Sequence, residues 1–143
     1  MKRFAVLALG VTLGALTVPA QATGFSCVGA ERLEDDMFSI TFPRGSARLA
    51  EAGRSPLAAA IEAALAEPER NICILGHAGQ EGGATTSIQL AAQRARAVTN
   101  AMMDRGVAAE RLRSEARSAQ FSPSVRAAEP PSRTVTIVLM PPP

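Results

Sequence analysis

Residues 72–98 read ICILGHAGQEGGATTSIQLAAQRARAV and hold more structural information than any other stretch of the chain. An apolar run at 72–75 predicts a buried strand, and the glycines that follow it predict a flexible loop. Apolar residues at helical spacing come next. Because backbone N–H groups at a helix start, beside a glycine-rich loop, can receive an anion, this order of elements predicts an anion-receiving site.

The helix predicted over residues 86–105 presents an apolar stripe, and Arg94 lies at the edge of that stripe. The stripe consists of Ile88, Ala91, Ala95, Val98 and Met102. At 100° per residue, Arg94 falls about 80° from the middle of the stripe, where its side chain can reach the loop. Two roles stay open for Arg94: it binds a ligand, or it pairs with a local acid or caps loop carbonyls. Arg96, on the other flank, is expected to be solvated.

The rest of the pattern adds three strands and one helix. Alternating apolar residues predict strands at 38–42 and 134–139, and a weaker strand is predicted at 111–117. A helix is expected over 55–66, with Pro56 in its first turn, and Gly106 stands where a helix cap is expected. Residues 118–132 form a polar loop. The order βαβαββ predicts an α/β domain in which a mixed sheet packs against two helices.

The N-terminus has the features of a secretory signal peptide. Lys2 and Arg3 precede an apolar run at residues 4–18, and Ala20-Gln21-Ala22 matches a cleavage site. The expected organisation is a cleaved signal at 1–22, an N-terminal arm at 23–36, one domain at 37–140 and a proline tail at 141–143. The apolar run is short for a bilayer span, so no membrane span is expected after cleavage.

The charge balance does not favour nucleic acid as a partner. The sequence has 15 lysines and arginines against 13 acidic residues, and two of the basic residues leave with the signal, so 13 face 13. The isoelectric point of the full sequence, about 8.9, therefore overstates the basicity of the mature chain. No basic patch of the kind that binds nucleic acid is visible in the sequence.

The two cysteines and the single histidine carry separate expectations. Export to an oxidising compartment predicts a Cys27–Cys73 disulfide, and the alternative is two unpaired thiols. His77, at a strand end, is expected to be a hydrogen-bonded structural residue. It has no partners at metal-ligand spacing and no nucleophile with an orienting group, so neither a metal site nor an enzyme is predicted. The glycine-rich loop lacks the lysine and hydroxyl pair of a phosphate loop.

Four short motifs follow one another along the chain. The first is Ile40-Thr41-Phe42 with residues 45–49, and the second is residues 72–78, which end in a glycine, a ring-bearing histidine and an alanine. The third is residues 90–98 with Gly106 after them, and the fourth is residues 133–137. In this order they resemble the OmpA-like domain, a peptidoglycan-associating module of many envelope proteins. The resemblance covers roughly residues 37–139.

The resemblance also implies a ligand site. In the family, an aspartate after the central strand binds the ammonium group of diaminopimelate, and an arginine on the next helix binds its carboxylate. Arg94 stands at the arginine position, but Gly79 stands at the aspartate position. Glu81 is the candidate replacement for the missing acid. The site implied in this way consists of Arg94, Ser87, Thr86, Gly79, Glu81 and His77.

Two functions follow from the resemblance. The first is a non-catalytic periplasmic module, associated with the outer membrane and without cofactor, that binds the peptidoglycan stem peptide through Arg94 with a weakened clamp. The alternative is a degenerate OmpA-like scaffold that binds an envelope protein instead of glycan. The substitution of Gly79 for the acid motivates the alternative.

Overall fold

The computed structural model describes residues 24–79, 84–118 and 133–143, without the side chains of residues 34 and 84–86. Within these ranges the chain forms β1 (Met37–Thr41), α1 (Glu51–Ala66), β2 (Ile72–His77), α2 (Ala84–Asp104), β3 (Leu112–Arg117) and β4 (Thr134–Leu139). Three short 3-10 helices complete the description, two of them in the arm and one before β3. The predicted signal peptide, Glu81 and nearly all of the predicted polar loop lie outside the described residues.

The strands form one mixed sheet in the order β1-β4-β2-β3. Strand β2 lies at its centre, antiparallel to β4 and parallel to β3, with Ile74 opposite both Ile137 and Ser114. All six residues of β2 are buried, as expected for an apolar strand covered on both faces. The predicted α/β fold, with a mixed sheet and two helices, is therefore confirmed.

One face of the sheet packs against the two helices through apolar side chains. Strand residues such as Ile40, Ile74 and Ile137 meet buried residues of both helices in one cluster. Gly76 allows the closest approach, since a Cβ atom built there would lie 2.2 Å from the backbone oxygen of Ala91. The absence of a side chain at this position therefore determines how closely α2 lies against β2.

The other face of the sheet packs against the N-terminal arm. Cys27 forms a disulfide with Cys73, as predicted, and both are fully buried with Leu75 and Val138. Polar contacts add to this attachment, because Arg113 donates to the carbonyl of Phe25 at 2.8 Å. The arm, for which the sequence predicted no structure, is therefore an integral layer of the domain.

The start of helix α1 differs from the prediction by more than two residues. Helix α1 begins at Glu51, four residues before the predicted start, so Pro56 lies beyond the first turn. The additional turn contains Gly53, whose backbone lies against Ile40: a Cβ atom there would be 2.9 Å from that side chain. Tertiary packing against β1 thus extends the helix beyond the signal that proline provides. Gly106 has the positive φ expected of a helix cap.

None of the helices in the described part of the chain is long and apolar enough to cross a membrane.

Candidate functional site

Arg94 lies inside the domain, where its guanidinium is bound to the loop between β1 and α1. Its side chain projects from α2, and the residue is only 2 % exposed. Nε donates to the carbonyl of Ser46 at 2.8 Å, and one terminal nitrogen donates to the carbonyl of Pro43 at 3.1 Å. The helix-edge position expected for Arg94 is therefore a buried one, because the loop folds over that edge.

The turn at residues 43–46 presents these carbonyls to Arg94. The N–H group of Ser46 donates to the carbonyl of Pro43 at 3.2 Å, and Gly45 has a φ of +64° that glycine adopts without strain. The guanidinium carbon of Arg94 also lies 5.7 Å from the centroid of the Phe42 ring, within the range of a cation–π contact. Arg94 thus holds the tight turn that follows β1 against α2.

Of the two roles that the sequence left open for Arg94, capping of loop carbonyls is present in the structure. The acceptors are backbone carbonyls that precede Arg94 by 48 and 51 positions in the chain. Any residue type supplies a carbonyl, so no sequence pattern could have identified Pro43 and Ser46 as partners. Phe42 was recognised only as a strand residue.

Of the remaining predicted site residues, the structure describes Ser87 and Gly79 but neither Glu81 nor the side chain of Thr86. Ser87 is 3 % exposed in the first turns of α2, seven residues before Arg94 on the same helix. Gly79 follows β2 and is half-buried, next to Ala78, whose N–H group donates to the carbonyl of Arg117. Glu81 and the side chain of Thr86 lie outside the described residues.

His77 lies on the face of the sheet opposite to Arg94. Successive residues of a strand alternate between faces, and its neighbour Gly76 faces α2. The ring of His77 is hydrogen-bonded through Nε2 to the hydroxyl of Thr136 at 2.9 Å. Burial, with a smaller contribution from the positive charge of Arg117, lowers its pKa to about 4. His77 is therefore a neutral structural residue near pH 7 and does not share a face with Arg94.

Arg117 and Glu31 form a second charged group, on the arm side of the sheet. The two side chains are 2.6 Å apart, and Arg117 also donates to the carbonyl of Cys27 at 2.8 Å. Burial raises the pKa of Glu31, but a backbone hydrogen bond and Arg117 outweigh that effect and hold the pKa below its usual value. This group anchors the arm to β3, and sequence reasoning did not single it out.

No cluster of histidine, cysteine or acidic residues suited to a metal ion occurs within the described ranges.

This arrangement, which in the described residues is a four-stranded mixed sheet with a helix arginine beneath the first loop, defines a small α/β domain. The sequence profile of the OmpA family matches residues 41–134, so the chain belongs to the OmpA family. None of the curated protein sequences is similar enough to the chain to count as a relative.

Solved structures of several bacterial proteins have a similar fold. The peptidoglycan-associated lipoprotein of Burkholderia pseudomallei is 20 % identical over 72 % of this chain and 90 % of that chain, with a TM-score of 0.63. The C-terminal domain of Helicobacter pylori MotB is 17 % identical, over 72 % and 84 %, with a TM-score of 0.59. The cell wall anchor of the T6SS from Pseudomonas aeruginosa is 20 % identical, over 73 % and 81 %, with a TM-score of 0.56. At these identities the likeness establishes the fold alone.

Proposed function

We propose that this protein is a non-catalytic module of the cell envelope that associates with peptidoglycan in the periplasm, and that Arg94 receives a carboxylate of the stem peptide. The observation that carries the proposal is membership of the OmpA family together with an arginine at position 94. Two structural neighbours are a peptidoglycan-associated lipoprotein and a cell wall anchor, which supports the same class of ligand.

The geometry around Arg94 favours recognition of an anion. The two carbonyls and the Phe42 ring restrict the side chain to one orientation, so binding costs little additional side-chain entropy. A guanidinium binds a carboxylate with bidentate geometry. Ser87, Thr86 and backbone amides near Gly79 are the proposed additional donors.

The ammonium half of a diaminopimelate clamp is weakened in this chain. Gly79 has no carboxylate, and the ion-paired acids of the described residues bind other arginines, as in Glu31–Arg117 and Glu67–Arg70. Loss of one charge-assisted hydrogen bond costs on the order of 1.5–3 kcal/mol, which is roughly a tenfold or greater loss of affinity. Glu81 is the proposed substitute acid.

The test is co-sedimentation of the mature protein with purified diaminopimelate-type sacculi. Arg94→Ala is expected to reduce binding at least about tenfold, and Gly79→Asp to increase it. Arg96→Ala is the matched control, because Arg96 lies two residues away on the same helix and is exposed. Thermal unfolding of each variant separates loss of ligand contacts from loss of the loop structure. Binding by folded Arg94→Ala equal to that of wild type would contradict the assignment of Arg94.

A second function is favoured by one observation, the absence of an acid at Gly79. In this alternative the domain is a degenerate scaffold that binds an envelope protein and no glycan. It predicts that wild type does not sediment with sacculi, whereas Gly79→Asp does. Saturable binding of a diaminopimelate peptide by wild type would exclude it.

A further inference from the structure

Three exposed arginines lie in or next to the loop that Arg94 holds. Arg44 lies within the turn at residues 43–46, and Arg48 follows two residues after it, with its N–H group bound to the hydroxyl of Ser46 at 3.1 Å. Arg133 precedes β4. We call Arg44, Arg48 and Arg133 the rim arginines.

Backbone contacts bring Arg133 to the same place although it is distant in the chain. Its carbonyl accepts a hydrogen bond from the N–H group of Phe42 at 2.8 Å, directly before Pro43. Arg133 also has a φ of +72°, a left-handed conformation that is uncommon outside glycine, asparagine and aspartate. The backbone of Arg133 is thus held in a strained conformation next to the turn that contains Arg44.

Within the described residues, no acidic side chain forms an ion pair with a rim arginine. Each of the rim arginines is exposed, and the ion pairs of the described residues involve other arginines. Glu51, the nearest acid along the chain in the described residues, is bound to Arg54 at 2.9 Å. Residues 23–143 contain 13 basic and 13 acidic residues, and within the described part of the chain positive charge is concentrated at this loop.

From this concentration of charge we infer that the rim arginines bind free carboxylates of the stem peptide next to the one received by Arg94. The inference rests on the proposed function and extends it from one carboxylate to several. Stem peptides of diaminopimelate-type peptidoglycan carry more than one carboxylate, and guanidinium groups match carboxylate geometry. The site therefore selects stem peptides by their number of free carboxylates, with the rim adding long-range attraction that salt screens.

The experiment compares three forms of the full mature protein on two kinds of sacculi. The forms are wild type, a rim variant (Arg44→Gln, Arg48→Gln, Arg133→Gln) and a control variant (Arg32→Gln, Arg96→Gln, Arg105→Gln) in which three exposed arginines elsewhere lose the same charge. One set of sacculi is untreated, and the other has its free carboxylates converted to amides. Binding is measured at low and at physiological salt, and vesicles of phosphatidylglycerol serve as a second anionic surface.

The rim variant is expected to bind untreated sacculi about tenfold more weakly than wild type, since each exposed ion pair contributes a few-fold. The control variant is expected to match wild type, and amidation is expected to weaken wild type far more than the rim variant. Equal binding by the rim variant and wild type would overturn this inference alone. Absence of wild-type binding to any sacculi would overturn the proposed function as well. Rim-dependent binding to vesicles, with none to sacculi, would assign the rim to a membrane surface and also overturn the inference.

Discussion

The two faces of the sheet are held by different kinds of interaction. On the helix face, apolar side chains such as Ile40, Ile74 and Val98 pack in a continuous cluster. On the arm face, a smaller apolar group accompanies the Cys27–Cys73 disulfide and the Arg117–Glu31 ion pair. Apolar contact responds little to redox state or pH near neutrality, whereas a disulfide responds to redox state and ionisable groups respond to pH. The stability of the arm layer is therefore expected to depend more on redox state and pH than that of the helix face.

The largest expected effect comes from removing the disulfide. The double variant Cys27→Ala, Cys73→Ala should lose about 4 kcal/mol of unfolding free energy, given the 46-residue separation and the chain-entropy relation. Chemical denaturation measures this loss. Wild type in strong reductant should approach the variant, and the variant itself should not respond to reductant. Equal stability of the two proteins would mean that the arm is held by its other contacts.

Gly76→Ala should disturb the helix face almost as strongly. The added Cβ atom would lie 2.2 Å from the carbonyl oxygen of Ala91, so α2 has to move away from β2, at a cost of about 3 kcal/mol. Gly24→Ala is the control, because nothing lies within 4 Å of a Cβ atom at that position. Denaturation curves of both variants provide the comparison. A Gly76→Ala protein as stable as the control would show that the helix face is loosely packed.

Acid should weaken the arm face before it affects the helix face. The folded protein keeps His77 neutral down to a pKa of about 4, whereas the unfolded chain binds a proton near pH 6.5. The contribution is therefore complete above pH 6.5 and is lost as the pH falls, by roughly 2 kcal/mol at pH 4.5. The contribution of Glu31, whose pKa is lowered, begins to be lost only below its usual value of 4.5.

Unfolding free energies measured between pH 7 and 4.5 test this contribution. In a His77→Gln variant, which keeps a polar group near Thr136, the curve should be nearly flat over that interval. A wild-type curve with the same flat shape would contradict the role assigned to His77.

The smallest losses of stability are expected from removing the two arginines that attach the arm to β3, and the two losses should differ. Arg117→Gln should cost about 1.5 kcal/mol, because its partly buried ion pair and its bond to the Cys27 carbonyl are lost. Arg113→Gln should cost about 0.5 kcal/mol, since its side chain is half exposed. Thermal unfolding of both variants ranks them. The reverse order would place the attachment of the arm at Phe25 instead of Cys27.

Local patterns were sufficient for most of the fold. The apolar run at β2 and the stripe of Ala91, Ala95, Val98 and Met102 predicted a strand and a helix correctly, because burial follows directly from their periodicity. The disulfide was predicted correctly as well. The start of α1 was wrong by four residues, because contact between Gly53 and Ile40 outweighs the signal from Pro56.

The candidate site was less predictable. The resemblance singled out Arg94, but its burial depends on carbonyls of Pro43 and Ser46 that any sequence could supply. Arg70 was not singled out at all, although it is 6 % exposed and binds Asp36, Glu67 and the carbonyls of Leu139 and Met140.

Local sequence patterns thus predicted the order of elements, the mixed sheet, the disulfide and the family. Each of these depends on periodicity, composition or motifs that neighbouring residues carry. The tertiary structure showed three features that the patterns did not predict. His77 and Arg94 lie on opposite faces of the sheet, and the arm forms a layer of the domain. The same loop also carries or adjoins Arg44, Arg48 and Arg133. These features depend on contacts between distant backbone segments, which a local sequence pattern cannot predict.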